Sequence, residues 1–133
     1  MHAAPTLPSS ANMRPTLSTI LIYARDVERS AAFYCKYFGF TLSSDQAEGL
    51  ITLETPSGGA RIVLHRAAKS VKLGQVAVKL VFDVADIEAF KARSAARGLV
   101  FGSTHQADGY AFANTKDPDK NSVAISSRAY RNT

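Results

Sequence analysis

The chain has 133 residues, 46% of them hydrophobic and 20% charged, with a formal charge of +5 at neutral pH. These figures suit one soluble domain with a core of its own, and no apolar run approaches the roughly 20 residues that span a bilayer. The single cysteine, Cys35, excludes an internal disulfide and fits a reducing cytoplasm, the compartment expected here. A basic chain raises the question of nucleic acid, but only Arg61, Arg66, Lys69 and Lys72 cluster loosely, and Lys91, Arg93 and Arg97 run along one helix. No zinc spacing or long basic run accompanies them, so a solvated surface is expected, with neither nucleic acid nor membrane as partner.

Residues 1–16 hold three prolines and lack the basic start and apolar core of a secretory signal, which makes them a flexible arm. The nearly apolar run 17–23 reads as a strand covered on both faces. Asp26 follows as a helix N-cap with Glu28 in the first turn, and Gly39 stops the helix. Val27, Ala31, Tyr34, Cys35 and Phe38 form a helical stripe, in which Cys35 is a half-buried small hydrophobe rather than a nucleophile. Short strands are expected at 40–43, 50–55 and 60–65, joined by turns at 45–49 and 56–59. The polar, basic stretch 66–74 is the natural linker.

The pattern then repeats. A second strand is expected over 76–84, with Asp86 as cap, Glu88 in the first turn and Gly98 as stop. The two caps, like the two stops, stand about 60 residues apart. Strands at 99–103, 109–114 and 122–127 follow, the last two joined by the turn 115–121. Units of this size are marginal alone, so the two should share buried surface.

With these residues in view the chain resembles the vicinal oxygen chelate superfamily, which includes glyoxalase I, extradiol dioxygenases and bleomycin-resistance proteins. The carriers are Ala24-Arg25-Asp26-Val27-Glu28-Arg29-Ser30, Phe33-Tyr34, Phe38-Gly39-Phe40, the second strand-to-helix step over 81–89, and Asp117-Pro118-Asp119-Lys120-Asn121. The resemblance covers 17–128. It implies an α+β fold of paired βαβββ modules, about 17–66 and 75–128, forming a curled mixed sheet around a cleft with the helices outside. It also implies frequent dimers, some with modules exchanged between chains, and in many members a divalent metal.

The resemblance further locates the metal-ligand positions, and here they read Thr19, Val63, Lys79 and Ala124. A divalent ion needs imidazole or carboxylate donors at roughly 2.0–2.2 Å. Val and Ala offer no lone pair, and a lysine ammonium places positive charge where the cation would sit. Shifting each strand position by one residue brings in no imidazole or carboxylate. No metal and no cofactor are therefore expected.

Alternation places Thr19, Leu21, Tyr23, Arg61, Val63, His65, Lys79, Val81, Asp83, Ala124 and Ser126 on the cleft face, joined by Phe112. Thr19, Tyr23, Arg61, His65, Lys79, Asp83, Phe112 and Ser126 are the candidate ligand-binding residues, and no catalytic residue is assigned. Arg61, His65 and Lys79 tilt the wall positive. Lys79 should meet Asp83, Glu54 or an anionic ligand, because an ammonium among apolar neighbours needs a partner. Three readings stand. The first is a metal-free binding protein of the bleomycin-resistance type, holding a small organic ligand and working as a homodimer. The second is an enzyme of the same superfamily using Lys79, His65 or Tyr23, or a metal site of another kind. The third is a dimeric interaction or regulatory protein with a vestigial cleft. Bleomycin, itself a cation, does not suit a positive cleft.

Overall fold

The computed structural model describes residues 14–44 and 46–131. Most of the arm expected over 1–16, and the first residue of the turn expected at 45–49, lie outside them. The first half runs β1 (Thr19–Ala24), α1 (Val27–Phe38), β2 (Thr41–Leu42), β3 (Leu50–Glu54) and β4 (Arg61–Arg66). The second runs β5 (Lys79–Asp83), α2 (Ile87–Ala96), β6 (His105–Gln106), β7 (Ala111–Lys116) and β8 (Ser122–Ser126), before a single 3-10 turn. This is the paired βαβββ arrangement.

The caps work as their chemistry requires. The Asp26 carboxylate accepts the Arg29 N–H at 3.1 Å, and Asp86 accepts that of Ala89 at 3.0 Å, each satisfying a donor that the helix leaves free. Gly39 closes α1 in the left-handed conformation, with φ 76°. α1 buries Val27, Ser30, Ala31, Phe33 and Tyr34, whereas α2 buries only Ile87 and Ser94. Cys35 is half-buried on α1, and burial pushes its thiol pKa up, away from the reactive thiolate.

Each half folds into a four-stranded sheet, ordered β1-β4-β3-β2 and β5-β8-β7-β6. β1 and β4 run parallel, as do β5 and β8, and the other pairs are antiparallel. The sheets stay separate: among the described residues β1 and β5 each have a ladder partner on one side only. One core nevertheless runs through both halves. Phe38 at the end of α1 stacks on Phe82 of β5 with ring centroids 4.2 Å apart, and Phe40 meets Phe82 edge-on at 6.0 Å. The expected sharing of buried surface is met.

Besides a shorter β2 and a two-residue shift of β7 into the expected 115–121 turn, two elements differ from expectation. β5 is shorter than 76–84. The strand expected at 99–103 is absent, and β6 lies further on at 105–106. Leu99 and Phe101 are buried with exposed residues after each, which mimics strand alternation, but they fill the core. The Gly102 N–H reaches the Asn114 carbonyl at 2.8 Å, an isolated bond rather than a ladder.

The 117–121 turn carries a non-glycine residue, Lys120, at φ 69°. Gly74 packs against it so closely that a Cβ there would meet the Asp119 carbonyl at 2.6 Å and the Lys120 Cβ at 2.9 Å. A left-handed non-glycine residue costs about 1–2 kcal/mol, part of which a glycine returns through unfolded-state entropy. Lys120→Gly should therefore raise stability by about 0.5–1 kcal/mol. Urea melts test this: a higher midpoint at unchanged slope is expected, and an unchanged or lower midpoint contradicts it.

Candidate functional site

Strand alternation sends Ile20 and Ile22 of β1 toward the helices and Thr19, Leu21 and Tyr23 to the opposite face, where all three are exposed. The parallel register sets Thr19 beside Arg61, Leu21 beside Val63, and Tyr23 beside His65. β3 extends the rows with Thr52 next to Val63 and Leu50 next to His65. Tyr23 and His65 touch, with ring centroids 5.4 Å apart. Arg61 Nε pairs with Glu54 Oε1 at 3.5 Å at the rim, both side chains near half exposed. Such an exposed pair contributes under about 1 kcal/mol.

The second sheet repeats the layout. Lys79 lies beside Ser122, Val81 beside Ala124, and Asp83 beside Ser126. Asn114 continues the Ala124 row and Phe112 that of Ser126, with His105 stacked on Phe112 at 5.1 Å. Lys79 finds neither Asp83 nor Glu54. Its ammonium crosses β8 and donates to Asn114 Oδ1 at 2.9 Å, lying 5.9 Å from the centre of the Phe112 ring. Neither of the two carboxylates expected as protein partners serves it: a neutral amide does, and Glu54 is taken by Arg61. Lys79 is exposed, so water supplies the solvation that a buried ammonium would lack.

The eight candidate residues thus divide into two sets of four, one on each sheet face. Tyr23, His65, Thr19 and Arg61 form the first; Lys79, Asp83, Phe112 and Ser126 form the second. Ser126 is 7% exposed and its Oγ accepts the Arg128 N–H at 3.1 Å, so it serves local structure. Asn114 was missed, although alternation from Phe112 placed it on this face. The two edge strands pass close to each other, since Ile20 and Leu80 both line two grooves. The smaller groove, about 370 Å³, runs along β1 past Leu21 and Tyr23 and is roofed by Val71, Leu73 and Val76 of the linker.

The residues at the metal-ligand positions do not fit a divalent ion. Val63 sits between Leu21 and Thr52, Ala124 between Val81 and Asn114, and the Lys79 ammonium projects over that row. Among the described residues no three His, Cys, Asp or Glu side chains group closely enough to hold a metal. The same rows form a half-open wall of apolar side chains with a few polar groups, which suits an organic molecule.

Residues 16–125 match the family model described as Glyoxalase/Bleomycin resistance protein/Dioxygenase superfamily. Among solved structures the chain is similar to TnmS3, an antibiotic binding protein from Streptomyces sp. CB03234: 21% identity, 84% of this chain and 94% of that one covered, TM-score 0.70. A glyoxalase/bleomycin resistance protein/dioxygenase from Nocardioides shows 21% identity over 90% of this chain and 85% of its own, TM-score 0.72. Lactoylglutathione lyase from Agrobacterium tumefaciens shows 20% identity over 85% and 93%, TM-score 0.65. No curated protein matches the chain.

Proposed function

Because the chain belongs to the Glyoxalase/Bleomycin resistance protein/Dioxygenase superfamily, we propose that it is a small-molecule-binding protein of the bleomycin-resistance type. It holds an organic ligand on the sheet faces and in the groove along β1, without a divalent ion. The observation that carries this reading is what stands on those faces. Leu21, Tyr23 and Val81 are 46%, 51% and 56% exposed, while the metal-ligand positions are Thr19, Val63, Lys79 and Ala124. Exposed apolar side chains beside a groove are characteristic of a surface that something covers. The likeness to TnmS3, an antibiotic binding protein, runs in the same direction. The second reading, acid–base catalysis, is favoured only by the Tyr23–His65 contact. Turnover lost in His65→Ala with ligand affinity retained would establish it.

Thermal shift with a panel of neutral, anionic and cationic aromatic compounds tests the proposal. A neutral or anionic compound should stabilise the protein in the presence of EDTA, by about 2.7 kcal/mol at a hundredfold excess over Kd. Tyr23→Ala should abolish the shift that a neutral compound gives. One Zn, Ni, Fe or Mn per chain, retained through tag-free purification, overturns the metal-free part.

The same exposed faces support a homodimer, since exposed apolar side chains mark a surface that a partner covers. Light scattering at micromolar protein should give twice the chain mass. A monomer mass that holds as concentration rises contradicts it. A cytoplasmic location, with a lone half-buried thiol, completes this reading.

A further inference from the structure

A larger groove, about 830 Å³, lies where the C-terminal ends of α1 and α2 approach the outer edge of β5. We propose that it is a second binding site, apart from the Tyr23–His65 face, for a small organic anion with a flat apolar body. It meets the second sheet face at Lys79, Val81 and Asp83 and does not include Tyr23 or His65.

Three features select that ligand. The wall is aromatic: Phe38, stacked on Phe82, also lies 6.0 Å from Phe90, and all three rings are half-buried, as a stacking surface needs. The charge is positive, with Lys36 from the end of α1 and Arg93 and Arg97 from the end of α2 lining the groove. Lys36 and Arg93 rest on rings, 5.2 Å from Tyr37 and 5.3 Å from Phe90. Their charges are thereby held beside apolar surface. Third, none of the three makes an ion pair among the described residues, where Arg61–Glu54 is the one salt bridge.

The opposing charges are smaller. Among the described residues Asp83 is the one carboxylate lining the groove, and the two helix ends add about half a negative unit each. Lys79 lines the groove as well, so four cations against these leave an excess of about two positive charges. Part of the helix-end charge is already met, because the Tyr37 hydroxyl donates to the Arg97 carbonyl at 2.8 Å. The volume lies in the range of roughly 300–1,000 Å³ that small molecules occupy, which favours a compact anion over a macromolecule. Asp83 also disfavours a dianion filling the whole groove. A single carboxylate on a planar hydrocarbon matches best, its ring on Phe90 and its charge at Arg93 and Arg97.

Titration calorimetry of the full chain with 2-naphthoate tests this. Saturable binding is expected, weakened about tenfold in Arg93→Gln/Arg97→Gln, the worth of one charge-assisted contact. Lys36→Gln, on the other helix, should weaken it in the same direction. The neutral 2-naphthamide should bind less well, and added salt should weaken naphthoate but not the amide. Tyr23→Ala, which alters the sheet face, should leave naphthoate binding unchanged. Absence of saturable binding, equal binding by the folded arginine variant, or loss in Tyr23→Ala with retention in the arginine variant would each overturn the proposal.

Discussion

Asp117→Ala should cost about 3–4 kcal/mol, lowering the melting temperature by on the order of 10–15 °C. Asp117 is 5% exposed and serves as the hub of a polar cluster. One carboxylate oxygen accepts the backbone N–H groups of Asp119 and Asn121, both at 2.9 Å. The other accepts the Asn121 amide at 2.9 Å and the Tyr34 hydroxyl at 2.7 Å. Three of these donors shape the turn, and the fourth comes from α1, 83 residues away in sequence. Removing the carboxylate leaves all four without their partner, and Tyr34 is fully buried, away from bulk solvent. Tyr34→Phe removes one donor and leaves three, so about 1–2 kcal/mol is expected. Because the two residues act on one contact, the double variant should cost less than the sum of the singles by about 1 kcal/mol. Strict additivity in urea melts would mean that the Tyr34–Asp117 bond carries no coupling between the halves.

The same residue sets a pH dependence. Burial, and next the nearby Asp117 charge, push the Tyr34 phenol far above its ordinary range. In the unfolded chain it titrates near about 10. Below that value the phenol is protonated in both states and its contribution is complete. As pH rises above it, the unfolded chain releases a proton that the native state keeps, and stability falls by up to about 1.4 kcal/mol per pH unit. Tyr34→Phe lacks this loss. The variant, less stable at pH 8, should close the gap with wild type above pH about 10. A gap that stays constant up to pH about 11 would contradict the assignment.

What could be read from the sequence was local chemistry repeated twice. Asp26 and Asp86 marked both helices by their capping side chains, which matters most for α2, where only Ile87 and Ser94 are buried and the apolar stripe is faint. Alternation along β1, β4, β5 and β8 placed the face residues, because one-residue pleating leaves no other choice once a side is buried. The failures arose where tertiary packing borrowed a local pattern. Leu99 and Phe101 alternate like a strand while filling the core. The Tyr34–Asp117 bond joins two motifs that each looked complete alone: a helical stripe and a proline turn. Charge alone points Lys79 to an acid or an anionic ligand. The exposed ammonium had no such need, and the geometry of neighbouring rows offered Asn114 instead.

Lys79→Glu should reduce affinity for any anionic ligand of the second sheet face about a hundredfold while changing folding stability by less than about 0.5 kcal/mol. The stability expectation follows from exposure: the ammonium has one neutral partner, Asn114, and no acid that removal would strand. A burial-driven role would have required the opposite, a loss of several kcal/mol on removing the charge from a buried pair. The binding expectation follows from position. The ammonium hangs over the Ala124 row, held by Asn114 and beside the Phe112 ring, so an anion lying on that ring meets it directly. Charge reversal replaces that attraction with repulsion, whereas Lys79→Met removes the attraction alone and should weaken binding by about tenfold. A ligand that binds wild type and both variants equally would have to lie elsewhere, on the Tyr23–His65 side or at the Arg93–Arg97 end of the larger groove. A marked loss of stability in Lys79→Met, by contrast, would show that the lysine neutralises an acid within the fold and contributes nothing to recognition.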